Sequence, residues 1–166
     1  MKRSVVPVPA SMVLLAFAVG TVIAQAPKAS ANDPSLGTWV LNVSRSKFAS
    51  PPPKSFVERY DLRPDGYFVS TRAIVNNDGN PAFQQAVFKY DGKDYALFDN
   101  SSLAEFLVSG KRTALTLRAK AIDSYTVEYA VKQAGRVTTS GKRTVSKDGK
   151  TMTFSAKDGV AVFEKQ

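Results

Sequence analysis

Turn chemistry recurs about every ten residues through most of this chain, and that rhythm points to an all-β fold. Between the turns lie ten short runs in which apolar and polar side chains alternate: 38–43, 55–62, 67–76, 82–90, 94–98, 113–121, 125–133, 137–146, 151–156 and 160–165. A period of two puts alternate side chains on opposite faces of a strand. Arg63-Pro64-Asp65-Gly66 joins two runs, with a proline that presets φ and a glycine that accepts a positive φ. Asn77-Asp78-Gly79-Asn80, Asp91-Gly92, Asp148-Gly149 and Asp158-Gly159 are Asx-Gly hairpin signals. Pro51-Pro52-Pro53 cannot pair in a sheet and reads as a stiff connection between the first two runs. Strands joined almost wholly by tight turns predict an antiparallel up-and-down meander of about 8–10 strands, closed into a barrel that leaves no exposed edge. A barrel of that size either holds one small ligand or is filled by its own side chains. The stretch 102–108 is ambiguous, because Leu103, Phe106 and Leu107 suit a short helical lid as well as an irregular strand.

Side-chain patterning also suggests registers. Matching the apolar faces of 113–121 and 125–133 across a short loop sets Ala121 opposite Tyr125 and Leu117 opposite Tyr129. The same register sets Arg118 across from Glu128, a favourable pair worth a few tenths of a kcal/mol. At the C-terminus, a two-residue Asp158-Gly159 turn places Phe154 opposite Phe163.

The N-terminus has a different composition. Lys2 and Arg3 precede an uncharged, mostly apolar run at 12–23, and Ala24-Gln25-Ala26 then offers an A-x-A cleavage site. The run is too short for a membrane span, which needs about 20 residues. The expected organisation is a signal peptide over 1–26 (alternative end at 31, after Ala29-Ser30-Ala31), a polar tether over 27–35 and a barrel domain over 36–166. A periplasmic or secreted protein with no transmembrane anchor after processing follows from that reading, and a monomer is expected. Cysteine is absent, so the fold must rest on its core without disulfides. Loss of Lys2 and Arg3 takes the 23 basic residues to 21 against 14 acidic ones, or +7. That balance favours anionic partners, or simply keeps an exported barrel soluble. The basic residues are scattered, so no nucleic-acid partner is expected.

Three blocks carry a family resemblance. Gly37-Thr38-Trp39-Val40-Leu41-Asn42, followed by Ser46-Lys47-Phe48 and the proline-rich loop, resembles the opening of small exported bacterial lipocalin-like proteins. Tyr90-Asp91-Gly92-Lys93-Asp94-Tyr95 and the tail from Val145 to Gln166 match the same pattern. The resemblance covers the chain from about Leu36 to its end. It implies a calycin-type barrel in which Gly37 and Trp39 are structural, the tryptophan packing across the closed end. The arginine that partners this tryptophan in lipocalins has two candidate counterparts, Arg136 and Arg143. The Arg-x-Tyr pair with which fatty-acid-binding barrels hold a carboxylate does not occur late in this chain.

Catalytic chemistry is poorly provided for. Histidine is absent along with cysteine, which removes the commonest base near neutral pH, the commonest metal ligand and any thiolate. No nucleophile elbow, phosphate loop or dinucleotide fingerprint occurs. Asn76-Asn77-Asp78-Gly79-Asn80 lacks the downstream carboxylate of a calcium loop and reads as a hairpin. No enzyme activity, cofactor or metal is therefore expected. Polar residues on strands are more informative: Arg72 shares a face with Phe68, Ser70 and Ile74, Gln84 one with Ala86 and Phe88, and Arg143 one with Thr139 and Val145. An arginine facing inward needs an anionic partner, since a lone buried charge costs several kcal/mol. The candidate ligand-binding residues are Tyr60, Tyr67, Arg72, Tyr90, Tyr125, Tyr129 and Arg143; the bland reading is tyrosines as filling and arginines outside or at the mouth. The expected function is an exported barrel for a small amphipathic or anionic, lipid-like ligand. The alternative is a solid barrel acting as an envelope interaction module through a basic outer face that includes Lys142, Lys147 and Lys150.

Overall fold

A computed structural model describes residues 30–100, 108–110 and 114–166. The expected signal peptide, and the ambiguous stretch up to 107, lie outside these residues. Among the described residues eleven strands form: β1 (Gly37–Leu41), β2 (Lys47–Phe48), β3 (Ser55–Leu62), β4 (Phe68–Val75), β5 (Pro81–Phe88), β6 (Asp91–Asp99), β7 (Leu115–Ala121), β8 (Thr126–Gln133), β9 (Arg136–Val145), β10 (Thr151–Ala156) and β11 (Gly159–Lys165). Each of β3 to β10 pairs antiparallel with the next, and β1 pairs with both β3 and β11. Ten strands thus close into a barrel, and the two-residue β2 pairs with the start of β11 on the same edge that β1 uses further along.

Alternation decides what faces inward. Phe56, Glu58 and Tyr60 of β3 share one face, as do Phe68, Ser70 and Arg72 of β4. Trp39, Phe68, Phe88, Met152 and Phe163 are almost wholly enclosed. Each such apolar side chain contributes about 1.5–3 kcal/mol on burial. Trp39 closes the end: its indole N–H donates to the Ser35 carbonyl at 2.7 Å, tying the 30–36 segment across the barrel floor. The cation over the indole is Lys165, with Nζ 5.2 Å from the ring. Neither expected arginine takes that place, because Trp39 is the cross-strand partner of Lys165. Arg136 instead lies exposed at the start of β9, and Arg143 stacks elsewhere in the interior.

Both expected registers are shifted by two residues. Across β7 and β8, Ala121 pairs with Val127 and Leu117 with Val131, so Arg118 faces Ala130 and Lys120 faces Glu128. The loop is longer because the Asp123 carboxylate accepts from the backbone N–H groups of Tyr125 (2.7 Å) and Thr126 (2.8 Å), drawing Tyr125 out of the strand. Across β10 and β11, Phe154 pairs with Ala161 and Met152 with Phe163, so Lys157-Asp158 forms the turn. Phe154 and Phe163 still meet diagonally, edge to face, with ring centroids 5.6 Å apart. Gly159 serves a different purpose from the expected one. A Cβ there would lie 2.3 Å from the Lys47 carbonyl oxygen, so its bareness admits the backbone of β2.

Candidate functional site

Among the described residues, the half of the barrel away from Trp39 is open. A cavity of about 390 Å³ is bounded by Phe56, Glu58, Arg72, Gln84, Leu97, Leu115, Tyr129, Val131, Thr138, Thr139, Phe154, Ala161 and Phe163. Its walls come from β3 to β11, so only a closed sheet assembles them. Thr138 and Thr139 are exposed, which places the mouth there. A bulge explains this rim. Val131 pairs with Thr139 and the next residue, Lys132, with Val137, so Thr138 is the extra residue. Its hydroxyl donates to the Val131 carbonyl at 3.2 Å.

An ion pair forms the polar part of the wall. Glu58 and Arg72 are opposite one another in the β3–β4 register. Arg72 Nε donates to Glu58 Oε1 at 2.7 Å, and the Tyr60 hydroxyl donates to the same oxygen at 2.6 Å. The Glu58 side chain is fully enclosed, whereas that of Arg72 keeps 16% of its surface at the cavity. Glu58 Oε2 has no hydrogen-bond partner among the described residues. Burial first, and the Glu58 charge second, push the Tyr60 phenol well above its usual range, so it remains a donor. Burial raises Tyr129 as well.

Beneath the cavity the interior is nearly solid. Only about 20 Å³ is free in the layer bounded by Tyr60, Arg72, Phe88, Tyr90, Tyr129 and Arg143, among others. Arg143 lies there, 95% buried, between the rings of Tyr60 and Tyr90 at 4.7 and 5.1 Å. Its Nη2 donates to the Tyr90 hydroxyl at 2.7 Å. Tyr90 lies 3.1 Å from the Ser35 hydroxyl, which itself donates to Asp33. The Ser35 proton is therefore committed to Asp33, and Tyr90 gives its own proton to Ser35. This relay links the buried Arg143 cation to the Asp33 carboxylate, and cation–π contact with two rings supplements it.

The structure separates the seven sequence-predicted residues. Arg72 and Tyr129 stand on the cavity wall, and Tyr60 lies directly below, bonded to Glu58. Tyr90 and Arg143 belong to the packed half. Tyr67 lies on the outer face, packed edge-on against Tyr95 at 6.0 Å with Lys89 over its ring. Tyr125 is 40% exposed in the β7–β8 loop, at a separate cavity of about 200 Å³ beneath the 30–36 segment. Sequence reasoning missed Glu58. The signal was available: Glu58 falls on the same strand face as Phe56, Tyr60 and Leu62. A carboxylate on an apolar face, with an arginine on the apolar face of the next strand, is the mark of an internal pair.

Comparison with protein-family models, with curated proteins and with solved structures returned no match to this chain.

Proposed function

We propose that this chain is an exported, lipocalin-like barrel that binds one small amphipathic molecule in the open half of its interior. One observation carries the reading: a cavity of about 390 Å³ with mostly apolar walls and a single buried ion pair. Specific small-molecule sites have that composition, and their volumes begin near 300 Å³. At about 30 Å³ per water-sized group, the space suits roughly a dozen non-hydrogen atoms. The division of the barrel supports the reading, because the packed half supplies stability and leaves the other half free to stay open. A binding role, not a catalytic one, fits a chain without histidine or cysteine. The N-terminal pattern supports export, since an A-x-A site follows a short apolar run.

Titration with the neutral fluorophore 1-aminoanthracene tests this. Wild-type protein should bind one equivalent saturably. Val131→Trp, which places an indole in the cavity, should weaken binding at least tenfold while its far-ultraviolet circular dichroism stays unchanged. Wild-type protein that takes up no fluorophore, or a folded Val131→Trp variant that binds it equally well, would end the proposal.

A further inference from the structure

Resting on the binding role just proposed, we infer that the ligand's polar end is an uncharged hydrogen-bond acceptor, as in a medium-chain primary amide or alcohol. The cavity wall is already electrically balanced. Arg72 is the cation expected to draw an anionic head group, but Glu58 holds its Nε at 2.7 Å and is fully enclosed. A ligand carboxylate seated on Arg72 would bring a second negative charge beside a carboxylate that water does not reach. Like charges sharing a buried site disfavour each other's ionised form strongly. A ligand ammonium meets the opposite obstacle in Arg72.

What the wall leaves unfilled is hydrogen-bond donor capacity. Glu58 is fully enclosed, so a ligand meets its charge without touching its oxygens. Arg72 keeps its exposed surface at the cavity, and of the five N–H donors on a guanidinium its Nε is given to Glu58. The carbonyl of a carboxamide, or the oxygen of a hydroxyl, accepts from Arg72 and adds no charge. The chain attached to that head group would lie among Leu97, Leu115, Val131 and Phe154, toward the threonine rim.

Calorimetric titration of the purified protein with decanamide, 1-decanol, decanoate and decylammonium at about pH 8, where the free carboxylate is ionised, discriminates the outcomes. Decanamide and 1-decanol should bind at least tenfold more tightly than either ion, which corresponds to about 1.4 kcal/mol. Decanoate or decylammonium binding as tightly as the neutral pair would overturn the inference but leave the binding role intact. No binding by any of the four would remove the binding role itself. In Glu58→Gln the wall gains net positive charge, so decanoate should gain at least tenfold relative to decanamide. A folded Glu58→Gln protein with the wild-type ranking would contradict the role given to Glu58. If that variant does not fold, the wild-type ranking alone decides.

Discussion

The Glu58–Arg72 pair gives the sharpest stability prediction, because its two ends are buried to different depths. Replacing Arg72 with methionine keeps the stem but leaves Glu58, 0% exposed, with only the Tyr60 hydroxyl for company. That is an uncompensated buried charge and should cost about 5 kcal/mol, the upper end for breaking such a pair. Glu58→Met leaves Arg72 unpaired, but its exposed edge can recruit water at the cavity. The cost should fall nearer 3 kcal/mol. The double variant, Glu58→Met with Arg72→Met, removes both charges and leaves chiefly the Tyr60 hydroxyl unsatisfied, at about 1–3 kcal/mol. It should therefore be more stable than Arg72→Met, although it carries one more substitution. Urea unfolding of the four proteins measures this directly, and domains of this size have only about 5–15 kcal/mol to lose. Single variants within about 1 kcal/mol of wild type, or a double variant whose loss equals the sum of the singles, would refute the buried, mutually dependent pair.

Other consequences are as specific. Gly159→Ala sets a Cβ 2.3 Å from the Lys47 carbonyl oxygen at φ +150°, so β2 should detach from β11 and stability fall by about 1–3 kcal/mol or more. Amide exchange at β2 would report the detachment, and unchanged protection there would contradict it. Trp39→Phe removes the donor to the Ser35 carbonyl and should cost about 1–3 kcal/mol for the orphaned acceptor, read as a lowered urea midpoint. The Asp123 carboxyl is held below its usual range by the Tyr125 amide, and that of Asp148 by the Ser146 hydroxyl and the Lys150 amide. A depressed native value gives stability that is complete above the unfolded value and is lost as pH falls through the native one. The melting temperature should therefore drop below about pH 4, and less steeply in Asp123→Asn. Burial raises the Tyr60 and Tyr90 phenols, so the opposite sign holds at high pH. Stability should decline above about pH 10, where unfolded phenols ionise first.

Strand content was legible because alternation and turn residues are local. The runs 55–62 and 151–156 coincide with β3 and β10, and most others differ by a residue or two at their ends. Absolute register was not legible. Alternation fixes only which face a residue occupies, and a two-residue slip preserves every face. Deciding between such registers needs loop detail: the Asp123 carboxylate gathering two amides, or Gly159 reserved for the approach of Lys47 rather than for the turn. The β8–β9 hairpin turns through Ala134 and Gly135, both at positive φ, and an alanine gives no turn signal of its own. The site was half legible for a similar reason. Arg72 stood out as a charge on an apolar face, but its partner came from the strand before it and passed as ordinary surface charge. Cavity walls contributed by Leu97, Leu115 and Val131 carry no chemical mark at all, since only closure of the sheet brings them together.

Intermolecular nuclear Overhauser effects between 1-decanol and methyl-labelled protein test the central claim most directly. Contacts should appear at the methyls of Leu97, Leu115 and Val131, which face the cavity, and be absent at the outward-facing Val87 and Val137. Contacts confined to Val87 and Val137, or a saturated sample with none at the cavity methyls, would contradict an interior binding site.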